Sequence, residues 1–339
     1  MSIDYKKIEA LNQSSLKKIL SHPVDYRNAI SKQSESTEEH FVFGSMVDIM
    51  LTGSKEEFDK KFFKVSAETT VSEAVKTIVD GIVEELGTAN IPLELWKDYR
   101  TIILKHVKYQ NYQSNWKDDT RIDGIIKSAD SYVKLLTEAN NRIIISELLY
   151  AKAVNCVAAL RSDQFTGKYS KPWKALGMNI TVHDKVVLQF EYKGHAIKGE
   201  IDRVLIDILA NTVTVIDFKT TSKPIMNFMS EFWKLRYDFQ AAVYMEGIKH
   251  HPDFKKFFDI GFTLEPFKFV VADTECRYAP LVFSVPEHVL EIGLSGGKTS
   301  IREYEGFDQA IERYEYAVNN NRWEHPMEYY EKGILEIEL

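Results

Sequence analysis

Cysteine is nearly absent from this chain: Cys156 and Cys276 are the 2 among 339 residues. They stand far apart, so neither a disulfide framework nor a CxxC zinc site is available. A four-thiolate iron–sulfur cluster is excluded by count. Proline and glycine are sparse as well, at 9 and 16 residues, which leaves little room for long flexible linkers. No stretch approaches the ~18 consecutive apolar residues that a membrane span needs. The opening Met1-Ser2-Ile3-Asp4-Tyr5-Lys6-Lys7 lacks the apolar run of a signal peptide. The expectation is a soluble, cytoplasmic protein in a reducing compartment, with no membrane partner.

What is present is ample core material. Hydrophobic residues make up 44% of the chain, and 43 Lys+Arg against 50 Asp+Glu give a net charge of −7. That is the composition of a globular protein of one large domain or two ordinary ones. The mild acidity argues against indiscriminate coating of nucleic acid, but it permits a basic channel on an otherwise acidic surface.

The pattern reads as a helical first half, a β-rich middle and a helical tail. Ser14 to Leu20 has helical spacing, with Asn12 or Ser14 as N-cap and Pro23 as its stop. Phe41 to Leu51 is a buried helix by composition, and Lys55 to Val65 a further helix. From Val71 to Leu160 apolar residues recur at three- and four-residue spacing, which predicts several amphipathic helices interrupted by a loop at Gln110 to Asp119. After Gly177 the period changes. Asn179 to Tyr192, Ala196 to Ile208 and Thr212 to Phe218 read as three strands of a meander, with Lys193-Gly194-His195 as the first turn. Met226 to His250 reads as one or two helices, Phe267 to Ala272 and Leu281 to Val285 as strands, and Phe307 to Asn320 as a closing helix.

The chemistry concentrates in Gly199 to Thr221, GEIDRVLIDILANTVTVIDFKTT. Asp217 and Lys219 are two apart on one strand, so their side chains share a face. A hairpin-like connection brings Asp202 alongside. Two carboxylates and an ammonium suit a hard Mg²⁺ or Mn²⁺ ion with oxygen ligands. The lysine can stabilise charge on a phosphate or position an attacking water. A solvated surface Asp–Lys pair is the plain alternative. Against it, Val213, Val215 and Ile216 make the strand apolar up to the point where the charges emerge.

Four separated motifs then stand in order: Ser14-Ser15-Leu16-Lys17-Lys18-Ile19-Leu20-Ser21-His22-Pro23 followed by Tyr26; Gly44-Ser45-Met46-Val47-Asp48; Gly199-x-x-Asp202 with Asp217-Phe218-Lys219; and Gln240-Ala241-Ala242-Val243-Tyr244. Together they resemble the PD-(D/E)XK nuclease superfamily, and more narrowly its RecB-like and exonuclease VIII-like phage exonucleases. The resemblance implies an α/β (α+β) fold whose central mixed β-sheet is flanked by helices. It assigns residues 1–65 to N-terminal helices contributing to the nuclease core, 66–165 to a helical insertion, and 166–339 to the core with its C-terminal helix. It implies Asp202, Asp217 and the backbone carbonyl of Phe218 as metal ligands, Lys219 as the catalytic lysine, and Gln240 and Tyr244 lining the same cleft. Asp48 stands where many RecB-like members carry a metal-binding His, and a carboxylate serves Mg²⁺ at least as well. Where iron–sulfur members have a Cys before the proline, this chain has His22.

The implied activity is Mg²⁺-dependent (or Mn²⁺-dependent) hydrolysis of DNA, most simply an exonuclease resecting double-stranded ends in phage recombination or replication, in the bacterial host cytoplasm. A single-strand annealing protein and a homo-oligomer are the partners that go with it. A structure-specific or single-strand endonuclease and a silent nuclease-fold binding module are the alternatives. Glu191 and Glu200 lie near the core without an assigned role. Lys105 to Lys117 and Lys168 to Lys174 interleave bases with aromatics, as stacking platforms for single strands do, or else are solvated basic faces. Gly296-Gly297-Lys298-Thr299 resembles the end of a phosphate loop, but Ile292 stands where its first glycine belongs, so a mobile loop and no ATP site are expected.

Overall fold

The widest region in which β-branched residues alternate or run together builds the sheet that carries the acidic residues. The computed structural model describes residues 5–31, 38–65 and 71–335. Residues 1–4 lie outside them. The chain divides into a first unit, Met1–Ser54 with Lys152–Leu339, and a second unit, Lys55–Ala151.

The first unit opens with β1 (Leu11–Asn12), α1 (Gln13–Leu16), a 3-10 turn (Lys17–Leu20), α2 (Pro23–Ser31) and α3 (Glu39–Thr52). Asn12 caps α1, its Oδ1 accepting from Ser15 N at 2.9 Å. Pro23 starts α2 as well as ending the segment before it, because its fixed φ suits a first helical position. The second unit comprises α4 (Lys55–Lys61), β2 (Phe62–Val65), α5 (Glu73–Thr88), α6 (Arg100–Tyr109), α7 (Asp118–Ala139) and β3 (Ile143–Ser146). Ile78 and Ile82 of α5, Ile103 and Val107 of α6, and Ile122 and Ile125 of α7 form its core.

Two expectations are corrected here. The Lys55–Val65 segment is a helix only to Lys61, and β2 pairs in parallel with β3 inside the region read as all helix. Consecutive Ile143, Ile144 and Ile145 favour a strand over a helix turn, since β-branched side chains lose rotamer freedom in a helix. The same pairing takes α4 and β2 into the second unit.

Helix α8 (Glu147–Ser162) leads back into the first unit. There follow α9 (Gly167–Ser170), β4 (Ile180–Tyr192), β5 (His195–Asp207), β6 (Thr212–Thr221), α10 (Phe228–Lys234), α11 (Tyr237–His250), α12 (Pro252–Asp259), β7 (Thr263–Leu264), β8 (Phe267–Asp273), β9 (Leu281–Val285), α13 (Glu287–Ser295), β10 (Gly297–Lys298), β11 (Glu303–Tyr304), α14 (Phe307–Asn320) and α15 (Met327–Lys332). β4, β5 and β6 are an antiparallel meander, β8 joins β6 in parallel, and β9 closes the far side antiparallel. β1 adds in parallel to β5 at Leu11↔Ile197 and β7 to β6 at Thr212↔Thr263. This is the mixed α/β sheet expected. The glycine-rich segment at 296–299 is a hairpin rather than a mobile loop: β10 pairs with β11, and Thr299 N donates to Arg302 O at 2.9 Å.

Helix α11 is apolar on nearly every side and is buried accordingly, with Phe239, Ala241, Val243 and Ile248 all at 0% exposure. Gly247 lets it lie close on β4: a Cβ there would stand 2.7 Å from Leu188 Cδ1 and 2.8 Å from Phe190 Cε1. Gly247→Ala should therefore cost about 1–3 kcal/mol through overpacking. Urea unfolding of the variant measures it.

Candidate active site

The ladder between β5 and β6 ends at Arg203↔Ile216. One step further, where Asp202 and Asp217 would oppose each other, the strands part. The carboxylate of Asp202 takes over, its Oδ2 accepting from Phe218 N at 2.9 Å. β6 runs on against β8 through Thr221. Because the N–H and C=O of one strand residue face the same edge, the Phe218 carbonyl also faces the Asp202 side. Sequence proximity and strand geometry thus place Asp202, Asp217 and the Phe218 backbone around one gap.

Asp217 is 2% exposed. Its Oδ1 accepts from Gln240 Nε2 at 2.9 Å. Lys219 Nζ lies 2.5 Å from its Oδ2 as an ion pair, and this buried oxygen has no other polar partner. Burial pushes the Asp217 carboxyl up to about 7; Lys219 pulls it back and the charge of Asp202 adds to the rise. Burial works against the charge of Lys219, yet Asp217 outweighs it and holds the ammonium above its ordinary value. The rings of Tyr237 and Phe269, 5.0 and 5.7 Å from Nζ, flank it. Nearby, Lys17 donates to Leu235 O at 2.9 Å. Its burial, with Lys219 next in effect, brings its pKa down to about 8.

Asp48 of α3 reaches the same gap through a residue that the sequence reading passed over. Lys185 Nζ lies 2.7 Å from both Asp48 oxygens and 3.0 Å from Asp202 Oδ1, with Glu200 Oε1 at 3.8 Å. Burial, and then the charge of Asp202, raise the pKa of Asp48, with Lys185 opposing both. Lys185 was findable. Counting seven residues back along each arm from the Tyr192↔His195 pair at the turn brings Lys185 opposite Asp202. Its backbone is left-handed in mid-strand, φ +52°, a conformation that costs a lysine on the order of 1–3 kcal/mol. The flanking pairs Asp184↔Arg203 and Val186↔Ile201 hold it there.

Arg203 was the other residue passed over. It is 1% exposed. Its guanidinium bonds Asp184 at 2.6 and 3.1 Å, the Tyr169 and Lys171 carbonyls at 2.9 Å, and the Leu51 carbonyl at 2.8 Å. The last of these ties the end of α3, which carries Asp48, to the strand that carries Asp202.

Tyr244 sits behind Gln240, out of solvent but within electrostatic reach of Asp217 and Asp202. It is 6% exposed, its hydroxyl interacts with Gln240, and its ring belongs to the core. Of the two basic–aromatic stretches, the first has two of its lysines engaged, Lys105 with Glu85 at 2.9 Å and Lys108 with Asp118 at 2.7 Å. In the second, the carbonyls of Tyr169 and Lys171 serve Arg203.

A family model of the PD-(D/E)XK nuclease superfamily matches residues 10–262. The chain belongs to that superfamily. No curated protein sequence matches the chain. A solved structure from Eubacterium rectale, named there as a candidate exonuclease, is similar over 84% of this nuclease-family chain and 93% of its own, at 15% identity and a TM-score of 0.34. Members of the superfamily are hydrolases of nucleic-acid phosphodiesters that generally use divalent metal ions. Among the described residues, no three of His, Cys, Asp and Glu form a ready cage for a metal. Two observations nevertheless fit a cation at this candidate site. Asp217 Oδ2 is buried with no polar partner but the Lys219 ammonium, and Asp48 and Asp202 already close around one positive charge. The donors are all oxygen, the set that Mg²⁺ and Mn²⁺ prefer. No helix among the described residues is long and apolar enough to cross a membrane.

Proposed function

We propose that this protein is a metal-dependent deoxyribonuclease that resects duplex DNA from its ends. The observation that carries the reading is the convergence of Asp202, Asp217 and Lys219 where β5 and β6 separate. Asp202, Asp217, the Phe218 carbonyl and Asp48 would hold Mg²⁺ or Mn²⁺. When bound, the ion lowers the pKa of a water and offsets negative charge developing on the phosphate. Lys219 is held protonated beside Asp217, so it serves as an electrostatic stabiliser of the pentavalent phosphate rather than as a base. Gln240 fixes the rotamer of Asp217, and Tyr244 fixes Gln240 from behind. The exonuclease reading is supported by the order of motifs shared with RecB-like and exonuclease VIII-like enzymes. A role in phage recombination, a single-strand annealing partner and a homo-oligomer follow from the same resemblance.

The test is incubation of the purified protein with linear and covalently closed duplex DNA in Mg²⁺, Mn²⁺ or EDTA. Metal-dependent loss of the linear form alone is the expected result. Nicking of the circle would replace the exonuclease by an endonuclease. Loss of neither form in either metal would overturn hydrolysis.

A further inference from the structure

Lys185 uses the same carboxylates that the proposed metal would use. Its ammonium touches both oxygens of Asp48 at 2.7 Å and Asp202 Oδ1 at 3.0 Å, and it has Glu200 Oε1 at 3.8 Å. An ammonium donating to oxygens at these distances occupies the volume that a metal ion coordinated by the same oxygens would need. Its side chain is 29% exposed, so these ion pairs are only partly screened by water. The arrangement is also built rather than incidental. Lys185 is in a left-handed conformation inside an otherwise regular antiparallel ladder, and its neighbour Asp184 is clamped by the buried Arg203. A lysine without a role at that position would be free to lie along the strand with its head in water.

We propose that Lys185 is an internal counter-cation. In the metal-free protein it stands in for the divalent ion, holds Asp48 and Asp202 together, and must withdraw from Asp202 before the ion can bind. Lys185 thereby sets the ion concentration at which the site fills. The inference rests on the reading of Asp202 as a metal ligand, and it concerns a residue which that reading leaves without a role. Charge agrees with it: Asp48, Glu200 and Asp202 against one ammonium leave an excess of negative charge. The carboxylates can therefore attract a divalent ion while the ammonium still resists its entry.

The test is Mn²⁺ binding to the full-length protein without DNA, by calorimetry, together with thermal melting in EDTA and in Mn²⁺. Lys185→Met should bind Mn²⁺ at least about tenfold more tightly than the unmodified protein, since Coulomb repulsion at this range disappears. It should melt lower in EDTA and gain more from added Mn²⁺. Lys17→Met removes a cation beside Lys219 without touching Asp48 or Asp202, and should leave the affinity within about threefold, a weaker effect at longer range. Equal tightening by both variants would overturn the stand-in in favour of general electrostatics. Unchanged affinity in Lys185→Met, with binding lost in Asp202→Asn, would overturn it while leaving the metal site in place. Absence of Mn²⁺ binding in both the unmodified protein and Lys185→Met would remove the metal reading and this inference together. Should Lys185→Met fail to fold, Lys185→Gly removes the same ammonium while relieving the left-handed backbone, and the same tightening is expected of it.

Discussion

Lys219→Met is expected to slow hydrolysis by roughly 10²–10³-fold, the loss that follows removal of one preorganised stabilising group from a developing oxyanion. Methionine keeps the length and packing of the stem against Tyr237 and Phe269 while deleting the charge. The change also leaves Asp217 buried without its cation. Since burial already holds that carboxyl near neutral pH, Asp217 can respond by binding a proton, which limits the structural damage. Single-turnover cleavage of a linear duplex reads the first effect, and circular dichroism checks the fold. Activity within about threefold of the unmodified protein would remove Lys219 from the chemistry, because so small a change is far below what such a group supplies.

Arg203→Met is expected to cost about 3–5 kcal/mol of stability, the range for breaking a buried ion pair from one side. The substitution strands Asp184 and leaves the carbonyls of Leu51, Tyr169 and Lys171 without their donor. Asp184 retains 31% exposure of its side chain, which places the loss toward the lower end. Lysine should not rescue, because a single ammonium cannot reproduce the planar fork that serves Asp184 and three carbonyls at once. Adding Asp184→Leu should recover part of the loss by removing the unpaired charge. Urea titration at constant m-value measures each step. Equal stability of Arg203→Met and the unmodified protein would mean that α3 is held to β5 by other contacts.

Much of the central architecture was legible because it rests on local pattern. The β4–β5–β6 meander follows from alternation and from the turn at Lys193-Gly194, where φ is +48° and +80°. The pairing of Asp217 with Lys219 follows from strand periodicity alone. What escaped depends on partners distant in sequence. β2 pairs with β3 across the whole of α5, α6 and α7, and no window shorter than that separation contains the signal. Arg203 reads as one more charge in a strand until the three backbone carbonyls around it are known. The burial of Tyr244 depends on which sides of α11 the sheet and α13 cover, whereas its helical spacing from Gln240 is the same in either case. Lys185 lay within reach of register counting, but a lysine inside a strand that alternates polar and apolar residues ordinarily faces water.

The separation of Asp48 from its partners has a consequence for the order in which the molecule assembles. Asp48 meets Lys185 and Asp202 only after the whole of Lys55–Ala151 has been made. During synthesis, α3 emerges with its carboxylate unmatched, and the second unit can complete its own helical core first. The contact that closes the acidic centre spans a long loop, and such contacts form late because their closure entropy precedes their reward. The arrangement that the proposed function needs is therefore absent from a nascent chain until β5 and β6 have been added and α3 has docked, so the order of the sequence itself would delay that activity until then.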